Sequence, residues 1–119
     1  MPNTQKDLYK KFLGLKGEKL AEKHLKKLGY KIIKTNYVTP FGEADIVCSI
    51  NGSLVFAEVK TRSSYSFGTP AQAVDYKKQN KYRQIAQYYL TINNLDDIEV
   101  SFMVIEVIDD CVNLITDAF

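Results

Sequence analysis

The sequence predicts an α/β or α+β sandwich built on one mixed sheet, and three observations lead there. Three strand-like runs follow one another, with Asn51-Gly52, the strongest short hairpin signal, between the second and third. Lysine-rich segments of helical character stand before and after them. A strongly apolar run, Val100 to Ile108, follows the second of these. The order is helix, three strands, helix, one or two strands. At 119 residues, one domain spanning 1–119 with a single core is expected.

Residues 5–28 read as the first helix. Leu8, Phe12 and Leu15 share a face, and Ala21, Leu25 and Leu28 continue an apolar stripe that drifts round the axis. Gly14 and Gly17 each cost about 1 kcal/mol relative to alanine, which predicts a bend or a close backbone approach. Gly29 stops the helix. A strand runs from Tyr30 to about Val38, centred on Ile32 and Ile33, and Pro40 and Gly42 punctuate the connection. Ala44 to Ile50 and Leu54 to Thr61 are the next strands. Ser63 to Thr69 reads as a polar loop, and Pro70 suits the first turn of a helix running to about Ile92. Ala73, Val74, Ile85, Ala86, Tyr89 and Leu90 are its apolar positions. After a break at Asn93 to Asp97, Val100 to Ile108 forms a strand, and Asp109-Asp110 turns into a short last strand at Val112 to Ile115. The first three strands suit an antiparallel meander. The second helix then returns the chain to a strand parallel to the third, by a right-handed crossover.

Composition narrows the classes. No window approaches the roughly 18 uninterrupted apolar residues of a membrane span. The segment Met1 to Asp7 lacks the apolar core of a secretory signal. Cys48 and Cys111 lie in apolar strand-like runs and read as small buried thiols, so a cytoplasmic setting is expected. A net charge of +2 conceals an asymmetry: residues 1–34 carry +7, residues 35–95 carry +2, and residues 96–119 carry −7. A lysine-rich surface favours phosphate backbones through counterion release, although such helices are more often plain solvated faces.

The chemistry concentrates at Asp45 and in Phe56-Ala57-Glu58-Val59-Lys60-Thr61-Arg62. With a two-residue loop at Asn51-Gly52, Ile50 pairs with Ser53, and the same register sets Asp45 opposite Glu58. Directly opposed side chains share a face with Cβ atoms about 4.5–5.5 Å apart, and like charges there destabilise a sheet. Lys60 falls on the Glu58 face by strand alternation. Two carboxylates beside an ammonium group suit Mg²⁺ or Mn²⁺, hard ions that prefer oxygen ligands. The bland reading is a buried ionic cluster in which Lys60 pairs with both acids, an arrangement of weak net stability.

Glu18 projects within about 20° of Leu25 on the helical wheel, at the edge of the apolar stripe, and could lean over the sheet as a further ligand. An ordinary boundary glutamate is the other reading. Glu43 shares the Asp45 face at the strand edge. Arg62 lies on the Glu58 and Lys60 face and could hold a phosphate, as could Lys77, Lys78, Lys81 and Arg83 on the second helix. Solvated surface residues explain these nearly as well. Tyr82, Tyr88 and Tyr89 offer stacking surfaces for bases, with packing on the sheet as the plainer role. His24 has no companion at ligand spacing, which disfavours a zinc site. There is no P-loop, dinucleotide fingerprint or nucleophile elbow.

Several of these residues stand in motifs. Gly17-Glu18-Lys19-Leu20-Ala21, Gly42-Glu43-Ala44-Asp45-Ile46-Val47, Phe56-Ala57-Glu58-Val59-Lys60, Phe67-Gly68-Thr69-Pro70 with Ala73-Val74, Lys78-Gln79 and the closing Ala118-Phe119 resemble the YraN-type bacterial family over nearly the whole chain. That family is similar to the PD-(D/E)XK restriction-endonuclease-like nucleases, with archaeal Holliday-junction resolvases nearest in shape. The resemblance implies an αβββαβ core with a mixed central sheet flanked by helices. Asp45 then matches the first acid, Glu58 and Lys60 the E-x-K, and Glu18 the helix glutamate of resolvase-like members. The backbone carbonyl of Val59 is implied as a third metal ligand. Tyr37 stands where the family often has an arginine, and Ser101 and Met103 where an arginine and an aspartate are common.

The expected function is Mg²⁺- or Mn²⁺-dependent hydrolysis of phosphodiester bonds in DNA, branched or single-stranded. Asp45, Glu58 and Val59 would hold the metal, Glu18 and Lys60 would assist catalysis, and Arg62, Lys78 and Lys81 would contact nucleic acid. Junction resolution needs two sites, which makes a homodimer a reasonable hypothesis that the sequence itself does not address. The alternatives are a non-catalytic nucleic-acid-binding or adaptor module that retains the fold, and a protein-interaction domain using the acidic C-terminal hairpin.

Overall fold

In the structure, a computed structural model, helix α1 (Gln5–Lys27) leads into three consecutive strands, β1 (Lys31–Thr39), β2 (Gly42–Ile50) and β3 (Ser53–Arg62). Helix α2 (Tyr76–Ile92) follows, then β4 (Val100–Ile108) and β5 (Cys111–Ile115). The structure describes residues 5–62 and 74–119, apart from the side chains of Lys6, Asp7 and Lys10. The five strands form one sheet in the order β1-β2-β3-β4-β5. β1, β2 and β3 pair antiparallel, β3 and β4 parallel, and β4 and β5 antiparallel. This is the mixed α/β sandwich that the element order predicts.

Asn51 and Gly52 form the two-residue loop with φ of 50° and 81°. Positive φ at both positions is what a type I′ hairpin turn demands, which is why Asn-Gly is favoured there. The turn sets the register: Ile50 opposes Ser53, and the pairing runs regularly to Ile46 and Ala57. Strand alternation then sends Val55 and Ala57 of β3 toward α1, against Ala21 and Leu25, and Leu54 and Phe56 toward α2, against Tyr82, Ile85 and Tyr89.

The structure departs from the sequence expectations at four places. Helix α2 begins at Tyr76, not at Pro70, because Asp75 caps it: its backbone is extended and its carboxylate accepts the Lys78 N–H at 2.8 Å. Pro70, Ala73, the Ser63–Thr69 loop and the Phe67-Gly68-Thr69-Pro70 motif lie outside the described residues. Leu8, Phe12 and Leu15 are each more than half exposed. The side of α1 that meets the sheet is Gly17, Ala21 and Leu25, spaced four apart, and the other three lie about 140–180° round the axis from Gly17 at 100° per residue. Leu28, also exposed, stands past the helix end. Cys111 is exposed while Cys48 is buried, because β5 is an edge strand whose residues 111 and 113 face outward. Gly14 has open space around it, and Gly17 alone makes the close approach: a Cβ there would sit 1.9 Å from Thr61 Oγ1. Among the described residues no helix is long and apolar enough to cross a membrane.

Candidate functional site

The β2–β3 ladder stops at Ile46 and Ala57, one step short of Asp45 and Glu58. Beyond that point backbone groups find side-chain partners instead. The Asp45 N–H donates to the Tyr82 hydroxyl at 3.4 Å, and that hydroxyl donates to the Ala57 carbonyl at 3.3 Å. The Val59 N–H donates to Asp45 Oδ2 at 2.7 Å. Tyr82 is thus a buried wedge between the strands that carry the two acids. Burial pushes its phenol well above the usual range, with the Asp45 and Glu58 charges adding to the effect.

Glu58 is 5% exposed, the only charged residue in the described core. Its Oε1 is ion-paired with Lys78 Nζ from the first turn of α2, and its Oε2 is buried with no hydrogen-bond partner among the described residues. A buried carboxylate oxygen left unmade costs about 1–3 kcal/mol or more. Burial raises the Asp45 pKa; the Val59 hydrogen bond and Lys78 pull it down, while Glu58 and Glu43 push it further up. Glu18 is raised as well, first by burial and then by the charges of Asp45 and Glu43. Glu18 and Asp45 both line a hollow of about 150 Å³ between α1 and the β1–β2 edge. Asp45 is therefore the hub: it feels Glu18 and Glu43 as well as Glu58 and Lys78.

The lysine that neutralises Glu58 is Lys78. Lys60 is half-buried on β3 and, among the described residues, makes no ion pair, so the ionic cluster of Lys60 with both acids does not form. Desolvation pulls the Lys78 ammonium down, but the hydrogen bond and charge of Glu58, with Asp45 and Asp75, outweigh it and leave the pKa raised. Arg62 is committed to Glu106, with Nε 3.0 Å from Oε2 and a second contact through Nη2. The stem of Lys81 lies against Gly42, and Lys77, Lys81 and Arg83 are exposed. Tyr82 and Tyr89 are buried in packing with the sheet, and Tyr88 meets Phe41 edge-on at 6.1 Å. His24 is half-buried on α1, and Tyr37 packs edge-on against Tyr89 with its hydroxyl buried and without a partner among the described residues. Met103 is a core residue and Ser101 pairs with Val55 in the parallel ladder.

Sequence reasoning missed Tyr82 as the strand wedge and Lys78 as the partner of Glu58. Asp75 offered a signal for the latter, since an aspartate cap three residues earlier puts Lys78 in the first helical turn.

Among the described residues no three Asp, Glu, His or Cys side chains converge as a ready-made metal cage. Two carboxylates are what the site offers. Mg²⁺ ordinarily keeps several waters and binds through one or two carboxylates plus substrate phosphate, so the pair fits that ion class. The orphaned Oε2 of Glu58 beside the mutually repelling Asp45 is the observation in favour.

The profile of the Uncharacterised protein family UPF0102 matches residues 17–108, which contain every one of these side chains. A UPF0102 protein of Alkaliphilus oremlandii (strain OhILAs) is 50% identical over 99 residues, covering 82% of this chain and 85% of its own. One from Caldanaerobacter subterraneus subsp. tengcongensis is 43% identical over 102 residues, with coverage of 86% and 84%. Another, from Clostridium novyi (strain NT), is 39% identical over 117 residues, with coverage of 93% and 98%. On the strength of that match across most of its length, the chain belongs to the UPF0102 family.

Proposed function

We propose that this protein is a divalent-metal-dependent endonuclease-like enzyme that hydrolyses phosphodiester bonds in DNA, with branched and single-stranded DNA among the candidate substrates. The observation that carries the reading is the opening of the β2–β3 ladder, just beyond which Asp45 feels the Glu58 charge and a buried Glu58 oxygen lacks a partner among the described residues. A sheet tolerates such a pair poorly without a function for it.

In this reading Asp45, Glu58 and the Val59 carbonyl hold Mg²⁺ or Mn²⁺. The chemistry such an ion supplies is polarisation of the scissile phosphate and activation of water. The Val59 N–H fixes the Asp45 carboxylate, so that one oxygen is committed to the backbone. Lys60, on the Glu58 strand face, orients the attacking water or stabilises negative charge developing on the phosphate. Glu18 approaches Asp45 from α1 and acts through a bridging water. Lys78, Lys81 and Arg62 contact the DNA backbone, Arg62 after exchanging its Glu106 partner. Two copies of the chain serve a junction, and light scattering checks that. A cytoplasmic setting belongs to the same proposal.

The test is cleavage of supercoiled, branched and single-stranded DNA with Mn²⁺, comparing wild type with Glu58→Ala and Lys60→Ala. Turnover in wild type alone supports the proposal; equal activity in all three defeats it. A second reading, a non-catalytic nucleic-acid-binding or adaptor module that retains the fold, draws on Lys78 already neutralising Glu58 without a metal. It predicts salt-dependent DNA binding and no cleavage.

A further inference from the structure

We propose that Lys78 is a built-in counterion for Glu58, one that a divalent ion must displace and whose ammonium group is thereby released to a phosphate. The inference rests on the metal-site reading above and adds to it a competition within the protein.

Four observations carry it. Glu58 is fixed on β3 with its side chain 7% exposed, whereas the Lys78 side chain is 47% exposed. The lysine therefore has solvent to move into and the glutamate does not. The Lys78 backbone is anchored, since its N–H is held by the Asp75 cap at 2.8 Å. Only the flexible four-carbon stem has to swing, carrying a strongly hydrated charge that water receives well. The ammonium group satisfies Oε1 and leaves Oε2 without a partner among the described residues, so the pairing neutralises Glu58 without filling its hydrogen-bonding capacity there. Finally, Asp45 feels the charges of both members of the pair, and the single ammonium group leaves the two acids one charge short of neutrality, whereas a dication in its place balances both. Lys60, on the same strand face as Glu58, stays out of the exchange because it makes no ion pair among the described residues.

The experiment titrates Mn²⁺ by calorimetry into the full-length wild type, Lys78→Met, Lys78→Arg and Glu58→Gln. In parallel, the rate of Lys78 acylation in the wild type is measured by mass spectrometry with and without Mn²⁺, with exposed Lys23 as reference. Lys78→Met is expected to bind about tenfold tighter, the lower end of couplings between close charges. Lys78→Arg stays near wild type, and Glu58→Gln loses binding. Acylation of Lys78 rises several-fold on saturation with Mn²⁺ while Lys23 does not change. If Lys78→Met does not fold, the acylation experiment decides alone. Tighter binding with unchanged acylation means field effects without displacement, and overturns the proposal. Equal affinity in wild type and Lys78→Met overturns it too, while the metal site stands. Absence of Mn²⁺ uptake by every form brings down both.

Discussion

The Tyr82 hydroxyl stands 3.4 Å from the backbone nitrogen of Asp45, accepting its N–H, at the point where β2 and β3 part. The same oxygen donates to the Ala57 carbonyl. One phenol thus replaces a rung of the ladder and bridges the strand ends that carry the two carboxylates.

Tyr82→Phe leaves the ring packing intact and strands those two backbone groups. A loss of about 1–3 kcal/mol is expected from the unpaired polar groups, read by urea denaturation. An unchanged midpoint would show that the wedge contributes nothing.

Gly17 and Gly14 should respond in opposite senses to the same change. Gly17→Ala drives a methyl group into Thr61 and is expected to cost about 1–3 kcal/mol of overpacking, partly offset by helix propensity. Gly14→Ala meets nothing within 4 Å and should stabilise by about 0.5–1 kcal/mol. Thermal melts of the two variants check this. Since Gly17 seats α1 on β3, the first variant should also shift Glu18 away from Asp45.

Much of this geometry was legible because it is local. Asn51-Gly52 determines its own turn and the turn sets the register, but the ladder opens after Ile46 and Ala57, so Asp45 and Glu58 are not the directly opposed pair that the register alone predicts. The apolar run Val100–Ile108 is likewise a strand with those ends. What the sequence hid depends on docking between elements. Leu8, Phe12 and Leu15 look like a core stripe until Gly17 selects the other side of α1. Lys78 looks like a solvated helix lysine until the Asp75 cap sets its turn beside β3. Cys111 looks buried until β5 proves to be the sheet edge.

Asp45→Asn should stabilise the metal-free protein at neutral pH. Burial, with the Glu58 and Glu43 charges, raises the folded-state pKa of Asp45 above its ordinary 3.8. A raised acid favours the folded state most below its unfolded pKa and loses that contribution as pH climbs through the folded value. In chelator, the variant should melt higher than wild type at pH 7, with the gap closing toward pH 4 and below. An equal or lower melting temperature at pH 7 contradicts this.

Arg62→Met should destabilise by about 1–3 kcal/mol, between the values for exposed and buried pairs, because it leaves the poorly exposed Glu106 uncompensated. Adding Glu106→Met should recover most of the loss. Chemical denaturation of the single and double variants measures the coupling. A single variant as stable as wild type would return Arg62 to the role of a free surface cation.

Whether Asp45 and Glu58 share one divalent ion is read by anomalous diffraction from crystals grown with Mn²⁺. A peak touching both carboxylates, at about 2.0–2.3 Å, is expected, with the Lys78 ammonium group moved off Glu58. Crystals that show Glu58 still paired with Lys78, and no peak between the two acids, would contradict a shared ion.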